Sequence, residues 1–221
     1  MTELPNVEHS YGSELIRKGI HLSSLSIPIV YYFLSKAGAL SILIPVTAVF
    51  LVADVARLYH EPSGRLFERA FGFLLRPHER NDRGRHLTGA SYVLLSATLG
   101  VLIFPKVIAI TSFGILIVSD SAAALIGRRY GRHPFMRKSA EGTLAFFVTA
   151  LAVVAIAPKI NYLPQEYLIG GASALLGSLV EAISVGIDDN VSIPFSIGAA
   201  MWILYALFLP ALDIFKLDTL T

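Results

Sequence analysis

The sequence predicts an all-α protein, a polytopic membrane bundle of about seven transmembrane helices plus one interfacial amphipathic helix. Three observations carry this expectation. Of the 221 residues, 54% are hydrophobic and 15% charged, whereas a soluble domain carries about a quarter charged residues. The apolar residues gather in runs long enough for a bilayer. The basic residues fall almost entirely on one side of those runs.

Apolar stretches of about 18 residues or more read as membrane-spanning helices. Seven are candidates: Ile16–Leu34, Ala39–Leu58, Leu87–Phe104, Val107–Ile126, Gly142–Ala157, Leu168–Ile187 and Ile193–Leu212. The first begins among polar residues and the fifth is short, so six or eight spans also fit. Little chain is left between the runs, which makes residues 1–221 one membrane domain. The chain opens with Glu3, Glu8 and Glu14, unlike the basic start of a secretory leader. With no cysteine there is no disulfide framework, thiolate metal site or cysteine nucleophile.

If seven helices alternate, 14 of the 18 Lys and Arg residues fall on one side and four, Lys36, Lys106, Lys159 and Lys216, on the other. Short loops rich in Lys and Arg stay cytoplasmic. The N-terminus and the second, fourth and sixth loops are therefore expected inside, and the C-terminus outside. Asp54, Glu61, Glu68, Glu79, Asp82, Asp120, Glu141, Glu181, Asp188 and Asp189 map to the same cytoplasmic half. Insertion does not require so one-sided a set, which points instead to a charged, water-soluble partner arriving from the cytoplasm. In the second loop, Pro62–Arg76 repeats Leu66, Phe67, Ala70, Phe71, Leu74 and Leu75 at helical spacing, with Arg65, Glu68, Arg69 and Arg76 between them. That suits a helix at headgroup level, and equally one packed on the bundle.

Ionisable residues inside the runs are costly and normally face protein or a wet cavity. Asp120 shares a helix face with Ala123, Ala124 and Gly127, small residues that permit close packing and leave the carboxylate room to bind. Next come Gly127, Arg128, Arg129, Gly131, Arg132 and His133, then Arg137, Lys138, Ser139 and Glu141. Alone, this basic loop reads as an ordinary cytoplasmic anchor, with Ser139 capping the next helix and Glu141 favoured by its dipole. Flanked by Asp120 and Glu141 it offers what a magnesium–polyphosphate site requires: carboxylates for the metal, cations and closely approaching backbone for phosphate. Glu181 follows a small-residue face (Gly170, Ala174, Gly177, Ser178) and precedes Asp188-Asp189-Asn190, Ser192 and Pro194. These hard oxygen ligands fit a divalent cation, and they equally fit a polar turn. Arg17 and His21 lie one turn apart beside Lys18, where a histidine is ordinarily interfacial. Asp54 and Arg57 read as an intrahelical ion pair, and Thr88 as a helix cap.

The run from Asp120 through Gly127-Arg128-Arg129-Tyr130-Gly131 to Lys138-Ser139-Ala140-Glu141-Gly142-Thr143 resembles the CTP-dependent lipid-alcohol kinases, which include dolichol kinase, phytol and farnesol kinases and the CTP-using diacylglycerol kinase. Glu181, Asp188-Asp189-Asn190 and Pro194 match their later signature, and Arg17, Lys18 and His21 an early one. The resemblance implies phosphoryl transfer from CTP to the hydroxyl of a membrane alcohol of the phytol, farnesol or polyprenol type. In that reading Asp120, Glu141, Asp188 and Asp189 serve Mg²⁺ and catalysis, with Asp188 or Asp189 as base. Gly127, Arg128, Arg129, Gly131, Lys138, Ser139 and Asn190 bind the nucleotide, and Arg17, Lys18, His21 and Glu181 are further polar candidates. Its partners are the lipid alcohol, the nucleotide and the bilayer, with a homodimer allowed and no nucleic acid.

The middle block also resembles the phosphatidate cytidylyltransferases, which carry tryptophan where Ala140 stands and end in a basic signature that has no match after Asp189. Cytidylyl transfer is therefore the second reading. An ion-coupled transporter, using the intramembrane acids as relays, is the third; it lacks the internal repeat that many transporters show.

Overall fold

Inside a bilayer the backbone must satisfy its own polar groups, which leaves helices or a closed barrel; this chain uses helices. The computed structural model describes residues 7–71, 86–183 and 186–219. Among them run α1 (Val7–Ser23), α2 (Ser26–Phe33), α3 (Lys36–Tyr59), α4 (Glu61–Phe71), α5 (Gly89–Ile103), α6 (Lys106–Tyr130), α7 (Ala140–Ile156), α8 (Pro164–Ile183) and α9 (Asp189–Phe208). A two-stranded hairpin, β1 (Pro134–Phe135) and β2 (Lys138–Ser139), joins α6 to α7. Each of the seven apolar runs overlaps helix. Four helices, α3, α6, α8 and α9, are long and apolar enough to cross a membrane, and α5 and α7 are apolar but shorter, at 15 and 17 residues.

The first run differs from expectation: it is not one helix. The chain turns at Ser24 and Leu25 between α1 and α2. Pro28 is the cause, because it has no N–H to give to the carbonyl of Ser24 and its ring crowds that group. Ile27 takes the Ser24 carbonyl instead, at 2.9 Å. The broken helix still runs antiparallel to α6: Lys18 meets Asp120 at one end, and Lys106 reaches the Leu34 carbonyl at the other. Those α6 positions are about 21 Å apart at 1.5 Å per residue. The interfacial stretch Pro62–Arg76 is helical as α4 through Phe71; residues 72–76 lie outside the described residues. α9 begins four residues before the predicted Ile193 because Asp188 caps it, accepting from the Asn190 N–H at 2.9 Å.

α6 is the axis of the bundle. Every residue from Lys106 to Ile117 is buried, as expected of a helix that is apolar all round, and it packs against α1, α2, α5, α7 and α9. α3 pairs with α5 at the periphery, and Ile42, Val49 and Val52 remain exposed. So large an apolar surface on a folded chain calls for lipid around it. Glycines set the closest crossings: a Cβ on Gly170 would meet Val154 at 2.6 Å, and one on Gly177 would meet Ile197 at 2.6 Å.

The two ends of the bundle differ in chemistry. At the end holding the four isolated lysines, charges close helix termini. Lys159 donates to the Val154 and Ala157 carbonyls at the end of α7, at 2.6 and 2.7 Å. Glu166, fully buried, accepts the N–H groups of Ile160, Asn161 and Leu163 at 2.7, 3.0 and 2.9 Å. Asp218 accepts the Lys106 N–H at 2.9 Å. At the opposite end the charges converge on one another.

Candidate functional site

Asp120 lies three turns before the end of α6, facing α1. Lys18 Nζ approaches its Oδ2 to 2.5 Å, and His21 Nε2 stands 3.7 Å from the same oxygen. Lys18 and His21 are three residues apart, so both project from one face of α1. The Lys18 and Asp120 side chains are only 6% and 12% exposed.

The hairpin delivers the second cation. α6 stops where the Gly131 N–H closes on the Gly127 carbonyl at 3.0 Å. The chain then reverses through Met136, whose φ of 51° is left-handed. The Arg137 N–H donates to the Ala182 carbonyl at 3.1 Å, pinning the turn to the end of α8. Lys138 thereby lands between two helix ends, 2.7 Å from Glu181 Oε1 on α8 and 3.0 Å from Asp189 Oδ2 on α9. Asp120 is within electrostatic reach of Lys138, Glu181 and Asp189. Three carboxylates and two ammonium groups from α1, α6, α8, α9 and the hairpin thus form one cluster. Burial alone would lower the Lys138 pKa, but the Asp189 and Glu181 carboxylates outweigh it and hold the ammonium above its ordinary value. Glu181 Oε2 is buried without a hydrogen-bond partner.

Of the residues singled out in sequence, Lys18, His21, Asp120, Lys138, Glu181 and Asp189 are brought together, with Asn190 buried beside them. Asp188 is engaged as the α9 cap, and it also accepts from Asn190 Nδ2 at 2.7 Å. Glu141 is not drawn into the cluster: it faces His133 across the hairpin, 2.7 Å from Nδ1. Hydrogen bonds from its own backbone and from His133 hold its carboxyl down at about 2. Arg128 and Arg129 are exposed at the end of α6, Arg129 over the Tyr130 ring at 5.3 Å. Where Gly127 and Gly131 lack a Cβ, the chain itself fills the space: Ser139 Oγ would lie 3.1 Å from a Cβ on Gly127 and 2.8 Å from one on Gly131. Ser139 caps α7 through the Gly142 N–H at 3.2 Å.

Next to the cluster, between α1, α3, α5 and α6, lies a cavity of about 470 Å³. Arg17, Lys18, His21, Asp120 and Asn190 line its charged end, and Ile20, Val49, Phe50, Ala53, Phe67 and Val93 its apolar walls. One wall was not legible in sequence. Asp54 and Arg57 do pair, at 3.1 Å, but Asp54 also accepts from the Thr88 N–H and hydroxyl, both at 2.8 Å. The pair therefore ties α3 to the start of α5 and is more than an intrahelical contact. Local signals were present, an Asp–Arg spacing and a Thr-Gly helix start, but nothing local joins positions 34 residues apart.

A helical membrane chain that sets a buried carboxylate–lysine cluster beside an apolar cavity has the makings of a membrane enzyme handling a charged group and a hydrophobic chain together. The chain is 32% identical to an uncharacterized protein of Rickettsia prowazekii over 188 residues, 84% of this chain and 92% of that one. It is 28% identical over 218 residues to CTP-dependent diacylglycerol kinase 1 of Schizosaccharomyces pombe, covering 87% of this chain and 94% of the relative. To the phytol kinase of Synechocystis it is 25% identical over 206 residues, 86% and 79% of the two chains. No family model and no solved structure matches it. The chain belongs to the family of CTP-dependent lipid-alcohol kinases.

Proposed function

We propose that this protein transfers the γ-phosphoryl group of CTP to the hydroxyl of a phytol-, farnesol- or polyprenol-type membrane alcohol at the cytoplasmic face, with Mg²⁺ as cofactor. The observation that carries the reading is the joining of an apolar cavity to the carboxylate–lysine cluster through Asp120, which belongs to both. The broken α1–α2 helix counts as the first of seven spans, with the N-terminus cytoplasmic and the C-terminus outward. The gathering of Lys36, Lys106, Lys159 and Lys216 away from the cluster supports that orientation, since the more basic side stays inside.

Mg²⁺ takes one or two carboxylates and fills its remaining positions with phosphate oxygens and water. Among the described residues no three His, Asp or Glu side chains are grouped as a metal cage. Asp189 and Glu181, whose Oε2 has no hydrogen-bond partner, fit Mg²⁺ as hard oxygen donors. Bound there, such an ion would neutralise phosphate charge. Lys138, which bridges those two carboxylates, and Arg128 and Arg129 at the end of α6 are the cations assigned to the phosphate oxygens. Phosphoryl transfer depends on positioning and charge neutralisation. The lipid hydroxyl, held at the charged end of the cavity, bonds to the γ-phosphorus; the bond from that phosphorus to the bridging oxygen breaks, and CDP leaves. The hydroxyl proton passes to Asp120, the carboxylate that lines the cavity, and Lys18 steadies that carboxylate.

The test is to incubate purified protein with α- or γ-labelled CTP and phytol, farnesol, diacylglycerol or phosphatidate. Kinase activity places γ-label in the lipid and releases CDP. Entry of α-label with release of pyrophosphate would overturn the reading in favour of cytidylyl transfer.

A further inference from the structure

The cavity wall built by α3, α4 and the start of α5 is held by a knot of hydrogen bonds that phosphoryl transfer does not use. Arg57 donates from Nε to Asp54 and from Nη2 to the His86 carbonyl at 2.9 Å, and its guanidinium lies over the Phe67 ring at 5.4 Å. α4 can fold back this tightly because Gly64 has no side chain: a Cβ there would stand 3.0 Å from the Arg57 carbonyl oxygen. An amphipathic helix at the interface ordinarily sinks its aromatic residues into lipid. Here the guanidinium backs one of them, and that ring forms part of the cavity wall with Phe50.

The same knot removes polar donors from the wall. The Thr88 N–H and hydroxyl both go to Asp54, and the Ser91 hydroxyl reaches the Phe50 carbonyl at 3.5 Å. The wall thus suits a hydrocarbon chain. A two-chain glycerolipid carries ester carbonyls close to its hydroxyl; any that do not reach Arg17, Lys18, His21 or Asn190 at the charged end are buried along this wall without a donor, which is unfavourable. We propose that Phe67, held in place by Asp54, Arg57 and Thr88, is the residue that selects a single-chain alcohol over a two-chain glycerolipid.

This inference rests on the kinase reading for its kinetic readout, so the experiment also includes a readout without nucleotide. Full-length protein in nanodiscs is assayed with CTP and either phytol or diacylglycerol, as wild type, Phe67→Ala, Phe67→Leu and Arg57→Lys. In parallel, a long-chain alcohol bearing an aliphatic diazirine is photolysed in the cavity without CTP. The expected result is a fall of about tenfold in the phytol-to-diacylglycerol ratio of kcat/KM for Phe67→Ala, the scale on which apolar pockets discriminate. Smaller falls are expected for Phe67→Leu and Arg57→Lys, with the KM for CTP unchanged and with label on the peptide spanning residues 61–71 that excess phytol suppresses. An unchanged ratio overturns the inference, as does an equal loss toward both alcohols together with a raised KM for CTP, the pattern of general damage. If the wild type phosphorylates neither alcohol, the kinase reading fails and the photolabel alone decides: label on residues 61–71 supports Phe67 as the wall of a lipid-chain site, and label only elsewhere refutes it.

Discussion

Replacing Lys18 by Met leaves the Asp120 carboxylate buried in the bundle without its ammonium, and His21 stands 3.7 Å away. Removing one partner of a buried ion pair costs about 3–5 kcal/mol, mainly because the remaining charge stays desolvated. For a chain of this size that corresponds to a fall in Tm of about 6–20 °C. Lys18→Met combined with Asp120→Asn removes both charges, and replacing a buried pair by neutral groups is often close to neutral. The double variant should therefore be more stable than either single one, with a coupling of about 3 kcal/mol or more across the mutant cycle. Activity should behave differently. If Asp120 accepts the proton of the lipid hydroxyl, its loss reduces turnover by about 10²–10⁴-fold, and restored stability brings none of it back. Thermal unfolding in detergent gives the first quantity, and transfer of γ-label from CTP to phytol the second. Additive losses of stability would refute a buried, coupled pair. A double variant with wild-type turnover would reduce the pair to a structural contact.

Two further outcomes follow from the hairpin and from the far end of the bundle. Glu141 has a folded-state pKa of about 2 against an ordinary 4.5, so its contribution to hairpin stability is present above 4.5 and is lost as pH falls toward 2. Pepsin cleavage between residues 131 and 139 should rise over that window in the wild type; in Glu141→Gln it should be high throughout, and a wild type without pH dependence would contradict the His133 contact. Glu166→Ala leaves three backbone N–H donors without their carboxylate, at about 1–3 kcal/mol each. Thermal unfolding should show a loss of about 3 kcal/mol or more, and a loss below about 1 kcal/mol would mean that water or another acceptor replaces the carboxylate.

The helical spans were legible because lipid imposes a simple rule, long apolar runs with internally satisfied backbone, and each of the seven runs overlaps helix. The break between α1 and α2 was legible only in part: Pro28 was visible, but within an apolar run a proline can kink, start or divide a helix. Asp120 and Lys138 stood out because charge in or beside an apolar run is costly and needs a reason. Glu141 looked equivalent to Asp120 by spacing, yet the hairpin turns it to His133. Glu166 gave no signal at all, since an acidic residue in the first turn of a helix is ordinary dipole chemistry and its three N–H partners come from an irregular loop.

Hydropathy, charge and the ordered motifs are enough to place this chain in lipid and in its family, and they mark the end of the bundle expected to hold the chemistry. Hydropathy and charge act residue by residue, so they survive in a linear string. Which carboxylates meet, the place of Lys138 between Glu181 and Asp189, and the wall that Asp54 builds with Thr88 and Arg57 emerge from the packing of the helices. Apart from Asp54 with Arg57, those pairings join residues from 34 to 102 positions apart, and they depend on where rigid helices cross. Crossing positions are set by which small residues allow close approach and by where turns such as Ser24–Leu25 redirect the chain, and that information is spread over the whole bundle.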